Sequence, residues 1–92
     1  MRIRVEVYGL LRELMGWKSL DFELDKGSTL ELLLEAIVRK EPKVRDFVLE
    51  GSEIKDFVKI LVNGRDCRFL GGLRTRLEDG DVVSIFPPAG GG

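Results

Sequence analysis

Two groups in this chain invite covalent chemistry: the thiol of Cys67 and the carboxylate of Gly92, which closes the run Phe86-Pro87-Pro88-Ala89-Gly90-Gly91-Gly92. There is no histidine, so the commonest general base and the commonest metal ligand are both missing. With a single cysteine besides, no zinc or iron–sulfur site of usual composition can be assembled. The side chains therefore predict no self-contained catalysis and no bound cofactor. Arg65 and Arg68 flank Cys67 and could lower its pKa. With no histidine or second cysteine to support it, however, the thiol reads as a small buried hydrophobe.

The terminal run is different. After Pro88 no side chain exceeds a methyl group, so these residues have nothing to pack, and ordering them would cost ~1–2 kcal/mol of backbone entropy each. Either they are a frayed end or the carboxylate of Gly92 is the working group. Pro87 and Pro88 cannot donate ladder hydrogen bonds, so they end the preceding strand and bias the root of the tail toward an extended conformation. Five extended residues from Pro88 reach at most about 17 Å, enough to enter a narrow buried site. Glycines keep such a strand thin. The boundaries expected are a folded domain over 1–88 and a flexible glycine tail over 89–92.

The elements that must carry this tail can be read from periodicity. Ile3, Val5 and Val7 alternate with Arg2, Arg4, Glu6 and Tyr8, as in a half-buried strand. Gly9 ends it, a short helical turn follows over Leu10–Met15, and Leu20, Phe22 and Leu24 give a second alternating run. After the turn Asp25-Lys26-Gly27, the sequence Ser28-Thr29-Leu30-Glu31 predicts a capping box, with reciprocal hydrogen bonds between Ser28 and Glu31. Leu30, Leu33, Leu34, Ile37 and Val38 then form one continuous helical face, and Pro42 prevents its continuation.

Val44, Phe47 and Val48 suggest a short second helix ending near Gly51. Val58–Asn63 is apolar on both faces and reads as an inner strand, turned back by Asn63-Gly64. Cys67, Phe69, Leu70, Leu73 and Leu77 are expected to anchor a turn-rich segment, and Asp79-Gly80 leads into the last strand, Val82–Phe86. One helix across a mixed sheet of about five strands is an α+β roll. The bulky β-branched residues of the first and last strands predict that both are central.

The chain fits one domain, and its near balance of charge, −1 overall, gives no electrostatic footprint for nucleic acid or an anionic membrane surface. No apolar run is long enough to span a bilayer, and Arg2 and Arg4 interleave with Ile3 and Val5, unlike a signal sequence. A cytoplasmic protein that keeps its own N-terminus is expected. Arg65, Arg68, Arg74 and Arg76 form a basic stretch, but Asp66, Glu78, Asp79 and Asp81 lie close in sequence and predict a mixed, solvated surface.

Taken in order, the capped helix, Val62-Asn63-Gly64-Arg65-Asp66, Leu77-Glu78-Asp79-Gly80-Asp81-Val82-Val83 and the closing Phe86–Gly92 run resemble the MoaD/ThiS family of small ubiquitin-like sulfur carriers. The resemblance covers essentially the whole chain and extends to Tyr8–Leu14, where the family usually has an Arg-Glu pair, here Arg12-Glu13. In length the chain resembles the small subunit of molybdopterin synthase more than the shorter thiamine-pathway carrier. One departure is that Ala89 and Gly90 stand where the family commonly has Val and a further small residue, which keeps the tail's reach and reduces its bulk.

The resemblance implies a β-grasp fold and a terminal carboxylate that is adenylated and then thiocarboxylated. ATP would be used by a MoeB/ThiF-like adenylating enzyme, sulfur would come from a separate donor, and a MoaE-like large subunit would receive it to build molybdopterin for a molybdenum or tungsten cofactor. The chain would then be a co-substrate or subunit rather than an enzyme. Carriers for thiamine, tRNA thiolation or cysteine synthesis share the same tail logic, as does a modifier joined to lysines through Gly92. A β-grasp interaction module without covalent chemistry is the reading from another class.

The resemblance also implies that the first and last strands run parallel side by side. Tyr8 and Phe86 are each in phase with the outward residues of their strands, so both aromatics should then meet on one exposed face. An apolar partner-docking patch of Tyr8 and Phe86, with Val82 nearby, is expected there.

Overall fold

The computed structural model describes residues 1–88; Ala89, Gly90, Gly91 and Gly92 lie outside the described residues. The chain alternates strands and short helices: β1 (Arg2–Val7), α1 (Leu10–Met15), β2 (Ser19–Glu23), α2 (Leu30–Lys40), a 3-10 turn at Pro42–Val44, α3 (Arg45–Val48), β3 (Leu49–Glu50), β4 (Glu53–Ile54), β5 (Lys59–Val62), β6 (Arg65–Asp66), 3-10 turns at Cys67–Phe69 and Gly72–Arg74, and β7 (Val82–Phe86). Five strands form one mixed sheet in the order β2-β1-β7-β5-β6. β1 and β7 are parallel neighbours and every other pairing is antiparallel, which is the β-grasp arrangement.

The sheet's inner face supplies Ile3, Val5, Val7, Phe22, Ile60, Val62, Val83 and Ile85, and α2 supplies Leu30, Leu33, Leu34 and Ile37; all are buried. Val38, at the end of the same helical stripe, is partly buried. The two residue periods of strand and helix thus converge on one core. α1 adds Leu11 and Met15 to it, and Val44 and Val48 close it beyond α2. Among the described residues no helix is long and apolar enough to cross a membrane.

The start of α2 differs from the expected capping box. Thr29 occupies the cap position, and its side chain makes no capping hydrogen bond. Ser28 turns the other way: its Oγ donates to the Asp25 carbonyl at 2.7 Å, within the Asp25-Lys26-Gly27 turn. The first helical amide is satisfied across the fold instead, Leu30 N–H donating to Thr75 O at 2.9 Å, while Leu77 N–H donates to Ser28 O at 3.0 Å. A tertiary partner has displaced a local one. The segment after α3 also forms a small separate ribbon of β3 and β4 around Gly51, in a stretch whose sequence predicts only a short helix and an end.

At Asn63-Gly64 both residues adopt positive φ, 51° and 84°, as a tight hairpin between β5 and β6 requires. Asn63 holds the start of β7 as well: its Nδ2 donates to Asp81 Oδ1 at 2.9 Å and its Oδ1 accepts from Val82 N–H at 2.9 Å. Of the residues expected to anchor the following segment, Cys67 and Leu77 are buried and Leu70 and Leu73 partly so, but Phe69 points to solvent.

Candidate functional site: the root of the C-terminal tail

β7 ends at the described root of the tail, so the site is built from what surrounds Phe86, Pro87 and Pro88. The parallel register sets Val7 opposite Ile85. Tyr8 extends that register by one residue, its N–H donating to Ile85 O at 3.1 Å. Because side chains alternate, Tyr8 and Phe86 both emerge on the face away from α2. Their rings stack with centroids 4.3 Å apart and planes 7° from parallel. The expected meeting of the two aromatics on one face is therefore observed, and both rings are half-buried by each other and their surroundings.

Two further residues complete the root. Arg12, carried on α1 by the burial of Leu11 and Met15, lays its guanidinium over the Tyr8 ring, 4.8 Å from the centroid. Its Nε donates to Val7 O at 2.8 Å, which fixes the guanidinium in that cation–π position. Gly9 has φ +58°, and a Cβ there would come within 3.0 Å of Pro87 Cγ. A side chain at this position would be strained in itself and would push the tail root aside. Neither role was evident from residue type. In the sequence Arg12-Glu13 stands out only through the family resemblance, and Gly9 marks no more than the end of a strand.

Val82 shares the outer face but sits apart from the aromatic pair. It lies four residues back along β7, about 13 Å at the rise of an extended strand, opposite Arg4 and against Asn63. Ser84 stands between, opposite Glu6 and Leu61. Of the sequence-predicted docking residues the structure brings together Tyr8 and Phe86, with Pro87 and Pro88 beside them. The predicted tail residues Ala89, Gly90, Gly91 and Gly92 lie outside the described residues.

Cys67 is fully buried. Burial pushes its thiol pKa up, and the neighbouring Asp66 carboxylate adds to this, against the weaker pull of Arg68. Iodoacetamide is expected to leave the native thiol unmodified and to alkylate it only after denaturation; rapid native labelling would contradict this burial. The raised pKa also has a sign for stability. The unfolded thiol ionises first, so this contribution is fully present below the free-thiol pKa of about 8.5 and is lost as pH rises beyond it toward the folded value. Among the described residues no group of three or more Cys, Asp and Glu side chains is placed to hold a metal ion.

A β-grasp domain whose central strand runs through a proline pair into a terminal glycine run is a ubiquitin-like protein. The chain belongs to the ThiS family, whose model matches residues 5–92. It is 34% identical to small archaeal modifier protein 3 of Haloferax volcanii over 92 residues, the whole of both chains. It is 32% identical to the sulfur carrier protein CysO of Mycobacterium tuberculosis over 96 residues, again covering both completely. Among solved structures it resembles a putative molybdopterin converting factor subunit 1 from Pyrococcus furiosus, with TM-score 0.80 and 31% identity, covering 97% of this chain and 99% of that one. The chain is thus a ubiquitin-like sulfur carrier or modifier.

Proposed function

We propose that this protein carries sulfur on its own C-terminus, as a thiocarboxylate of Gly92. A free carboxylate is a poor electrophile because it is anionic and lacks a leaving group. Attack of a Gly92 carboxylate oxygen on the α-phosphorus of ATP would form the acyl-adenylate and release pyrophosphate. A sulfide-equivalent nucleophile from a separate donor would then add at the carbonyl carbon and expel AMP, leaving the thiocarboxylate. The adenylating enzyme, of the MoeB/ThiF kind, supplies the ATP site and the catalytic groups. The chain's own contribution is to place a slender carboxyl group inside a foreign active site.

The observation that carries this reading is the braced root. β7 is the middle strand of the sheet, Phe86 is stacked on Tyr8, and Pro87 lies against Gly9, so the tail leaves a rigid platform at one defined point. The destination we propose is the dithiolene of molybdopterin, with a MoaE-like large subunit as the acceptor; similarity to the Pyrococcus protein supports it. A second reading is supported by the full-length similarity to an archaeal modifier: the same acyl-adenylate, attacked by a lysine amine, would give an isopeptide. Intact-mass spectrometry of protein purified from its own host separates the two. Sulfur in place of one terminal oxygen supports the carrier, and Gly92 joined to lysine peptides supports the modifier. A terminus inert to ATP and the activating enzyme would refute both.

The Tyr8–Phe86 stack is proposed to be the docking surface for these partners. Phe86→Ala is expected to weaken partner binding about 10- to 100-fold, as for an aromatic anchor. Its cost to stability should be about 1–3 kcal/mol, one stacked pair plus the half-buried ring's share of apolar area, below the roughly 3–5 kcal/mol of a fully buried Phe. Calorimetric titration and thermal melts on the same sample would check both. A large loss of stability with unchanged affinity would make Phe86 a core residue instead.

A further inference from the structure

Phe57 and Phe69 are 84% and 87% exposed, more than any other large hydrophobic side chain among the described residues. Neither is on a loose loop. Val58 N–H donates to Lys55 O at 3.1 Å, closing a tight turn that carries Phe57 and leaves its neighbour Val58 fully buried. Arg68 then clamps this turn: its Nη1 donates to Val58 O at 2.9 Å, and its Nη2 donates to Lys55 O at 2.8 Å. Arg68 itself is held in the 3-10 turn that carries Phe69, its N–H donating to Asp66 Oδ1 at 2.9 Å. One side chain therefore ties together the two segments that present the exposed phenylalanines.

The strand registers place this pair. Lys59 lies opposite Phe86, and Asp66 lies opposite Leu61. Phe57 precedes β5 and Phe69 follows β6, so both fall beyond the end of the sheet at which β7 stops and the tail begins. Leu10, 55% exposed, follows Gly9 at the same end. Three of the five exposed large hydrophobic side chains among the described residues thus lie at the end of the sheet from which the tail leaves.

The charge there is mixed, so the exposed rings rather than a net charge distinguish this end. Glu31, Glu53 and Asp56 line one hollow with Arg68 and Arg74, and the Arg68 guanidinium lies 4.0 Å from the Asp66 carboxylate. Asp79 and Asp81 are at the other end of the sheet, near Arg65 and Arg76. There Asp79 accepts from Arg2 N–H, and Asp81 accepts from Asn63 and Glu78 N–H. An enzyme that encloses the tail must approach this end.

We propose that Phe57 and Phe69 are a second pair of anchors, docking into apolar recesses of the enzyme that adenylates Gly92, because that enzyme must enclose the tail leaving from this end of the sheet. This rests on the adenylation reading above. It adds a surface on the β5–β6 side of the sheet, separate from the Tyr8–Phe86 stack, and assigns Arg68 as the positioning residue that presents it.

The test is ATP–pyrophosphate exchange by the host's adenylating enzyme, with the full-length chain as substrate. Phe57→Ala/Phe69→Ala is expected to raise the KM for the chain at least 10-fold, with an unchanged melting temperature because both rings are exposed. Each single variant should give an intermediate rise. Leu32→Ala, an exposed apolar truncation on α2, should leave KM unaltered. A double variant and singles with the wild-type KM would overturn the proposal while leaving adenylation intact. Absence of exchange with the wild-type chain would overturn the adenylation reading itself, and this surface's role with it.

Discussion

Removing Gly92 is expected to lower adenylation of the chain at least 100-fold in kcat/KM while leaving its melting temperature unchanged. The shortened chain still ends in a glycine carboxylate, Gly91, so the chemistry of the reacting group is the same and only its position differs. One residue of extended chain is about 3.3–3.6 Å. That equals the whole distance, roughly 3–3.5 Å, at which reacting atoms must be held, and misplacement by about 1 Å can already cost 100-fold. The root cannot compensate by feeding out more chain. Tyr8 N–H is bonded to Ile85 O, Phe86 is stacked on Tyr8, and Pro87 rests on Gly9. Pyrophosphate exchange and a thermal melt on the same preparation give the two readouts. Near-normal exchange would mean that the carboxylate's exact placement is unimportant, and the carrier mechanism proposed above would fail.

The residue before Phe86 is predicted to behave in the opposite way. Ile85→Ala should destabilise the fold by about 2–5 kcal/mol, the usual range for a large aliphatic residue truncated in a core. Ile85 is 1% exposed and lies between Val7 on β1 and Ile60 on β5, both fully buried. Truncation there opens a cavity at the centre of the sheet, where the paired strands on either side cannot collapse into it without losing ladder hydrogen bonds. Against a typical total of about 5–15 kcal/mol this is a large share. Urea denaturation should show a lower midpoint with an unchanged slope. A midpoint equal to the wild type would show that the inner face is looser than its burial implies. Two adjacent residues of one strand thus separate stability from recognition, because a strand alternates its faces.

Much of this arrangement was legible in the residues themselves. The stripe Leu30, Leu33, Leu34, Ile37 was enough for α2, because no other backbone period puts those positions on one side. The alternation in β1 and β7 assigned Tyr8 and Phe86 to the outer face, and Asn63-Gly64 specified its hairpin through the positive φ that few other pairs tolerate. What failed were inferences from local pattern where a distant partner intervened. Ser28 looked like a helix cap, but the Asp25 carbonyl takes its hydroxyl and Thr75 satisfies the helix's first amide. Phe69 looked like an anchor because it is large and apolar, yet its 3-10 turn faces it outward.

By itself the sequence determined which side-chain chemistry is missing, with no histidine and one cysteine, and the proline pair marked where the glycine run carrying the proposed reacting group begins. It also determined the periods of strand and helix, because these depend only on neighbours in the chain. The tertiary structure decided what the tail leaves from. Gly9 meets Pro87, Arg12 covers Tyr8, and Arg68 joins the turns of Phe57 and Phe69 through contacts between segments far apart in sequence or separated by a turn of chain. Such contacts depend on register and crossing, which side-chain type and spacing do not encode.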